Sequence, residues 1–280
     1  MRRGASRFLR GVAVRLPKAL VYLVGIVLSL WVLAPLYVIT LAAFSSEDDV
    51  YDYPKRLLPQ DLSTETIRFF LDFPGMTDAF WRSVIVAAVT LALSLGIGTP
   101  AGYALARFAF HGADTVRLSV VATRAFPIVI LSIPLAVIFI RWGIDDSIQG
   151  VAIAHTALAL PFVVLTTASV FAGVPAELEE AAMTLGCSRA SAFVRVALPL
   201  ALPGLAASAI FVFIISWNEV FAASLLTLQN RTLPAAVLST LEGAPLNFRF
   251  AGGFFLLAPS VIVILVIRRY LFTMWGRVVR

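Results

Sequence analysis

Long apolar stretches constrain the fold of this chain more than any other feature of its sequence. A helix needs about 20 mainly apolar residues to cross the hydrocarbon core of a bilayer. Six stretches approach or exceed that length: 19–44, 83–107, 118–140, 148–172, 203–228 and 252–272. The third contains Arg124 and the fifth Glu219. Since a membrane-spanning backbone must satisfy its own hydrogen bonds, the sequence predicts an all-α polytopic membrane protein with six transmembrane helices.

The low charge content excludes a soluble fold for most of the chain. Only 14% of the residues are Asp, Glu, Lys or Arg, and 60% are hydrophobic. Average soluble domains carry about 25% charged and roughly 45–50% apolar residues. A soluble protein of 280 residues could not bury so much apolar surface.

The positions of Lys and Arg predict the orientation in the membrane. Basic residues concentrate on the cytoplasmic side of membrane spans, and six spans place both termini on one side. That side carries fourteen basic residues: Arg2, Arg3, Arg7, Arg10, Arg15, Lys18, Arg107, Arg117, Arg189, Arg195, Arg268, Arg269, Arg277 and Arg280. The opposite side carries at most seven. Both termini and the loop 174–203 are therefore predicted to be cytoplasmic, and the net charge of +6 reflects topology.

This topology predicts three parts of the chain. Residues 1–18 form a basic cytoplasmic segment, 19–274 a six-helix transmembrane domain, and 275–280 a cytoplasmic tail. The alternative for the first part is a cleaved signal peptide. The first apolar run, about 26 residues long, far exceeds the 7–15 residues of a signal h-region. A retained first helix is therefore predicted.

Patterns that support catalysis or cofactor binding are missing from the sequence. Lys18 and Lys55 are the only lysines, and neither follows a glycine at the spacing of a phosphate-binding loop. His111 and His155 are far apart in the chain, and the single cysteine, Cys187, excludes a cysteine-based metal site. No serine lies in a nucleophile elbow. The prediction is a chain that is not an enzyme and binds no cofactor or metal.

The polar loop 174–203 has the features of two short helices. Pro175 suits a first helical position. Three acids follow in the first turns, where the helix dipole favours them: Glu177, Glu179 and Glu180. Gly186 can end the first helix in a left-handed conformation, and Ser188 can cap the second. The second helix is predicted to stop at Pro199. The alternative is an amphipathic helix lying on the lipid surface, where the three acids would be repelled by an anionic leaflet.

The same loop resembles the cytoplasmic coupling motif of ATP-binding-cassette (ABC) importer permeases. That motif reads Glu-Ala-Ala, three residues, Gly, nine residues, an aliphatic residue, any residue, Leu-Pro. Seven positions match it in register: Glu180, Ala181, Ala182, Gly186, Val196, Leu198 and Pro199. The resemblance implies a coupling helix between the fourth and fifth spans that docks on a separate ATPase subunit. Glu180 would make a polar contact with that subunit, and Gly186 would permit the bend between the two helices.

Three further stretches are similar to the second permease of maltose-type carbohydrate importers. They are Gly102–Gly112, Phe126–Phe139 and Ser216–Thr227. The resemblance implies a bacterial inner-membrane permease that carries a sugar, polyol or glycerol-phosphate-like solute. Its partners would be a second permease, an ATPase dimer that uses ATP and Mg²⁺, and an extracytoplasmic solute-binding protein.

Two alternatives remain open for the function. The run 184–188 is nearer to polyamine or metal-chelate importers, so the cargo could be a polyamine or another small solute. In a different class, an ATPase-independent channel or secondary carrier would not need the glutamate-led helix.

Trp217, Asn218 and Glu219 are predicted near the middle of the fifth span. An acid at bilayer depth costs about 2.5–3.5 kcal/mol on insertion scales and normally faces the bundle interior or a wet cavity. In one interpretation, Asn218 and Glu219 line the translocation path and Trp217 stacks on a sugar ring. In the other, Glu219 pairs with an interior arginine such as Arg124 and fixes helix packing. His155 is predicted to be a hydrogen-bonded packing residue.

Overall fold

The computed structural model describes residues 18–54, 56–58 and 62–278, the stretch 268–278 by its backbone only. The regular elements within these ranges are all helices, which confirms the predicted all-α polytopic membrane fold. They are α1 (Lys18–Ala43), α2 (Glu47–Tyr51), α3 (Glu65–Asp72), α4 (Met76–Arg107), α5 (Ala113–Thr123), α6 (Ile128–Trp142), α7 (Ile148–Ala172), α8 (Ala176–Thr184), α9 (Arg189–Ala192), α10 (Leu198–Asn218), α11 (Phe221–Leu226), α12 (Leu233–Thr240) and α13 (Leu246–Val278). A π-helical turn, Phe193–Ala197, joins α9 to α10.

Each of the six predicted spans corresponds to a helix or a helix pair. Among the described residues, five helical stretches are long and apolar enough to cross a membrane: α1, α4, α7, the rod 189–218 and α13. The pair α5 and α6 makes the sixth. Helix α4 begins at Met76 and not at residue 83. Its first two turns include Asp78 and Arg82, so the helix extends past the apolar run from which the span was predicted.

The third predicted span, 118–140, is not a single helix. Helices α5 and α6 meet at an angle of 92°. Pro127 occupies the N-cap of α6 with an extended ψ of 133°, and a proline disfavours helical backbone at the residue before it. The run is apolar on both sides of this break, so hydropathy alone does not reveal it.

The fifth predicted span, 203–228, is displaced toward the N-terminus. The helical rod runs without interruption from Arg189 to Asn218, so the second helix of the loop does not stop at Pro199. In the π-helical turn, the N–H of Leu198 bonds to the carbonyl of Phe193, five residues earlier. Because such widened turns absorb local irregularities in a helix, Pro199 follows with no break. At the other end, Glu219 is extended (φ −74°, ψ 124°) and terminates the rod.

Three helices form the centre of the bundle. Helices α4 and α7 run parallel, since Gly98 lies against Val163 and Gly102 against Thr167. Helix α10 runs antiparallel to α7, since Gly204 lies against Val170 and Ser216 contacts His155. Small residues at these positions let the backbones approach closely. The side chains of α1 are mostly exposed. The C-terminal part of α1 contacts α13, where Ile39 lies against Gly253.

The two ends of the bundle differ in composition. One end, called here the basic end, carries α8, α9 and four arginines: Arg107, Arg117, Arg189 and Arg195. The other, called the capped end, is covered by α2, α3, α11 and α12. Five aromatic side chains pack together beneath this cover: Phe70, Phe80, Trp217, Phe248 and Phe255.

The predicted boundaries at the two termini remain predictions. Residues 1–17 and 279–280, which hold most of the basic N-terminal segment and the end of the tail, lie outside the described residues, as does Lys55. Helix α13 continues through Val278, so the helix has no break at the predicted start of the tail.

Candidate functional site

The loop 174–203 forms two helical segments at the basic end, joined by a tight turn. Pro175 is the N-cap of α8 and precedes its first turn by one residue. Gly186 has a φ of 92°, the left-handed conformation expected of it. Ser188 caps α9 by accepting a hydrogen bond from the backbone N–H of Ser191 at 3.2 Å. The left-handed conformation of Gly186 and the capping role of Ser188 were therefore correctly predicted.

The seven residues of the coupling motif divide between an exposed and a half-buried set. Four are exposed: Glu180, Ala181, Gly186 and Pro199. Three are half-buried: Ala182, Val196 and Leu198. The exposed face of α8 also presents Leu178, and Leu185 beside it is 87% exposed. Exposed leucines on a polar loop form a surface that another protein can cover.

The buried acid of α8 is Glu179, which sequence reasoning did not distinguish from its neighbours. Its residue exposure is only 4%. Oε1 accepts a hydrogen bond from Arg107 Nε at 2.7 Å, and Oε2 accepts one from the Tyr103 hydroxyl at 2.5 Å. Arg107 also donates to the carbonyl of Val174 at 2.7 Å. Both carboxylate oxygens are thus bonded to groups at the end of α4.

Helical periodicity was the signal that could have identified Glu179. Residues three and four apart share one face of a helix, so Glu179 lies on the same face as Ala182 and Met183. Those two residues are half-buried, whereas Glu177 and Glu180 are exposed. The face with Ala182 and Met183 is therefore the one that packs against the bundle, and an acid on it needs a buried cation.

The end of α4 also contacts the second half of the loop. The Arg189 guanidinium lies 5.2 Å from the centre of the Phe108 ring, and the Phe193 and Tyr103 rings are 4.4 Å apart. A small cavity of about 120 Å³ remains between Phe108, Met183 and Arg189. Residues 103–108 consequently hold both helical segments of the loop.

The predicted path residues Trp217, Asn218 and Glu219 lie at the end of α10, near the capped end. Trp217 is 1% exposed, and its Nε1 donates to the carbonyl of Leu256 at 2.9 Å. Its ring stacks on Phe213 with centroids 5.6 Å apart. Neither face of Trp217 is free for a sugar in this conformation. Asn218 is exposed and donates to the Ile214 carbonyl of its own helix.

Glu219 connects α10 to α11 and does not pair with Arg124. It accepts hydrogen bonds from the backbone N–H groups of Ala222 and Ala223 at 2.9 and 3.0 Å. Its Oε2 lies 3.2 Å from His155 Nε2. The alternative pairing with Arg124 is therefore wrong: Arg124 ends α5 and lines a groove elsewhere. The carboxylate caps a short helix, which gives it a local structural role whatever else it contacts.

His155 is fully buried and hydrogen-bonded, as predicted. Its Nδ1 lies 3.0 Å from the Ser216 hydroxyl, and its Nε2 contacts Glu219. Two helices, α7 and α10, are tied together at this point.

Two grooves run along the bundle. One, about 600 Å³, lies between the bent pair α5–α6 and α7, with Arg124 beside apolar walls that include Leu131 and Leu158. The other, about 630 Å³, lies between α4 and α10 and is almost entirely apolar. Within the described ranges, no three His, Cys, Asp or Glu side chains are grouped so that they could hold a metal ion.

Comparison with known families gives a match over most of the chain. Residues 98–276 match the model of the family described as "Binding-protein-dependent transport system inner membrane component". The match begins in α4 and includes α8, the motif residues and the end of α10.

Individual proteins are similar over still longer stretches. A putative ABC transporter permease of Streptomyces antibioticus is 35% identical over 216 residues, which cover 76% of this chain and 94% of that protein. A diacetylchitobiose uptake system permease of Streptomyces coelicolor is 32% identical over 70% of this chain and 71% of its own length. Among solved structures, a chain of a bacterial ABC transporter involved in the import of the acidic polysaccharide alginate superposes with a TM-score of 0.74. It shares 20% identity, and the match covers 93% of this chain and 99% of that one.

Proposed function

This chain belongs to the family of binding-protein-dependent transport system inner membrane components, and on that basis we propose that it is the permease subunit of an ABC importer for a sugar or a related polyol or glycerol-phosphate-like solute. Such a subunit forms a translocation path and performs no chemistry on its cargo. ATP hydrolysis and the Mg²⁺ that it needs belong to a partner ATPase.

One observation carries the coupling part of the proposal: α8 is anchored on one face and free on the other. Glu179 is buried against Arg107, whereas Glu180, the motif acid, and Leu178 are exposed. A surface helix of this kind can receive a partner without losing its own attachment. We assign Glu180, with Ala181, Ala182 and the bend at Gly186, to ATPase docking. Val196, Leu198 and Pro199 carry the displacement into α10.

The two ends of the molecule suit different partners. The basic end, with α8, would face the cytoplasm and an ATPase dimer, in keeping with the distribution of arginines. The capped end would face an extracytoplasmic solute-binding protein. The apolar groove between α4 and α10, about 630 Å³ in volume, and the exposed α1 leave surface for a second permease and for lipid.

The sugar assignment is supported by the relative named for diacetylchitobiose uptake. Within this chain, Asn218 is the exposed member of the three predicted path residues. We assign it a polar contact with the solute. Trp217 could stack on a sugar ring only after leaving its aromatic cluster, and Glu219 would act mainly by holding α11.

Reconstitution with its partners tests the proposal. The permease pair, ATPase and binding protein are placed in proteoliposomes, and uptake of a panel of sugars, polyols and polyamines is measured with and without ATP. ATP-dependent sugar uptake is expected. Glu180→Gln should lower that uptake by roughly 5–10-fold, a typical size for a coupling energy between sites. Glu177→Gln, the same change at an exposed acid on the same helix, should not.

Other outcomes would reject parts of this function. Transport by this chain alone, or uptake unaffected by ATP, would indicate a channel or secondary carrier. Uptake of polyamines in preference to sugars would move the chain to the other cargo class.

The path assignment has its own test. Asn218→Ala should raise the apparent Michaelis constant for the sugar by roughly 3–10-fold, because a polar contact is worth about 0.5–1.5 kcal/mol. The ATPase rate without solute should stay unchanged. Gln149→Ala, an exposed amide at the start of α7, serves as the control. An unaltered Michaelis constant in Asn218→Ala would remove this residue from the path.

A further inference from the structure

The contact between α8 and α4 has the properties of a mechanical joint. Glu179 is 76 residues from Tyr103 and 72 from Arg107 along the chain, yet it accepts a direct hydrogen bond from each of these two side chains of α4. The side chains of Arg107 and Glu179 are 14% and 6% exposed. Glu179 lies on the face of α8 that packs against the bundle, with Ala182 and Met183, whereas Glu180 is exposed.

The charges of Arg107 and Glu179, and the directionality of their hydrogen bonds, make this contact stiffer than an apolar one. Apolar side chains can slide past one another with little change in energy, whereas hydrogen bonds weaken steeply when their angle is wrong. Both oxygens of Glu179 are engaged, and the second donor group of Arg107 holds the carbonyl of Val174 just before α8. Separating a buried ion pair exposes each charge to an uncompensated low-dielectric environment. Displacement of α8 without α4 would break all of these bonds together.

We propose that Tyr103, Arg107 and Glu179 form a joint that makes α8 and the end of α4 move as one body. The proposal rests on the proposed function in one respect: it takes α8 to be the helix that the ATPase displaces. These residues are positioning residues, and they contact neither the solute nor the ATP.

Through this joint, a displacement of α8 would reach the bundle by a second route. One route is the backbone, since α9 continues through the π-helical turn into α10. The other passes from Glu179 to Arg107 and along α4, which packs closely on α7 at Gly98 and Gly102. Through α7 it reaches the groove that α7 forms with α5 and α6. Motion of α8 would thus act on the second, fourth and fifth spans together.

A distance measurement tests the joint without reference to transport. Spin labels are attached at Leu178→Cys on α8 and Ile97→Cys on α4, which are 46% and 51% exposed, in a Cys187→Ser background. The full-length chain is purified with its partner subunits, and the distance distribution between the labels is recorded. A narrow distribution is expected, unchanged by ATP. Glu179→Gln should broaden it, and Glu177→Gln should leave it narrow. An unchanged distribution in Glu179→Gln would overturn the joint.

A stoichiometry measurement tests its consequence. Glu179→Gln and Arg107→Gln should each raise the ATP hydrolysed per sugar imported by roughly 5-fold, at equal amounts of assembled complex. The double variant should be no worse than either single, because residues of one network are not additive. If Glu179→Gln does not assemble, Tyr103→Phe removes a single hydroxyl of the same network. Stoichiometry equal to that of the unsubstituted complex in all variants would reject the proposal.

Failure of the proposed function and failure of the joint would give different results. If the unsubstituted complex shows no ATP-dependent uptake, the proposed function fails, and the label distances still decide whether α8 and α4 are joined. If the unsubstituted complex transports but the variants keep both its distances and its stoichiometry, the joint alone is wrong.

Discussion

Asp146 holds two loops together at the capped end. Its Oδ1 accepts hydrogen bonds from the backbone N–H groups of Leu228, Gln229 and Asn230 at 2.8, 3.1 and 3.0 Å. Burial acts to raise the pKa of Asp146, but these N–H donors and the charge of Arg82 outweigh it, and the pKa is lowered. A single carboxylate thus fixes the loop after α6 to the loop after α11.

The lowered pKa of Asp146 predicts a pH-dependent contribution to stability. A group whose folded pKa lies below its unfolded value, about 3.9 for Asp, stabilises the fold above that value. The contribution is lost as the pH falls through the folded pKa. At neutral pH, Asp146→Asn should lower the free energy of unfolding by about 1–2 kcal/mol, since the carboxylate is partly exposed. Thermal unfolding in detergent should show this difference at pH 7 and a smaller one at a pH near 3.

Asp145→Asn, a substitution at the adjacent residue, provides a matched control. Asp145 is exposed, and its substitution should leave the unfolding temperature nearly constant. Equal losses in the two variants would show that net charge, and not the hydrogen bonds of Asp146, governs the effect.

Close packing of α4 on α7 depends on glycine at two positions. A Cβ atom at Gly102 would lie 2.0 Å from Thr167 Oγ1 and 2.7 Å from the backbone nitrogen of Ala168. At Gly98 it would lie 2.6 Å from Val163 Cγ1. The backbone of α7 cannot move aside as a flexible side chain could, so the helices would have to separate.

Gly102→Ala should therefore destabilise the bundle although alanine is the better helix former. Overpacking costs about 1–3 kcal/mol, against a gain in helix propensity of about 1 kcal/mol. Gly96→Ala is the control, because a Cβ there meets nothing within 4 Å. Thermal unfolding of the purified chain should show a lower midpoint for Gly102→Ala alone. Similar midpoints for both variants would mean that the helices separate easily.

The whole molecule is polarised between its basic and capped ends. The burial of the spans also differs, since α7 lies at the centre and α1 at the periphery. The orientation of this bundle in the membrane is a prediction from the arginine distribution. It assigns the turn after α4 to the cytoplasm and the loop after α11 to the opposite side.

Single cysteines can test that orientation. In a Cys187→Ser background, His111→Cys and Leu228→Cys place one thiol at each end, both at exposed positions. A membrane-impermeant maleimide added to spheroplasts should label Leu228→Cys and leave His111→Cys unmodified until the membrane is opened. The reverse pattern would invert the proposed arrangement of ATPase and binding protein.

Features that depend only on residues close to one another in the sequence could be predicted from it. The six spans follow from contiguous hydrophobicity, and Gly186 and Ser188 follow from the conformations that their own side chains permit. Each of these is a local property, because the solvent or the adjacent backbone decides it. The family also belongs here, since its motif is a fixed spacing within one loop.

Features that depend on which helices touch were decided by the tertiary structure. Glu179 meets Arg107 across 72 residues, and Glu219 meets His155 across 64. A buried charge takes its partner from whatever group the packing brings near, and no sequence spacing specifies that choice. The break at Pro127 and the continuous helix through Pro199 likewise could not be predicted from sequence spacing. A proline's effect depends on whether the surrounding turn can absorb the missing N–H, as the widened turn before Pro199 does.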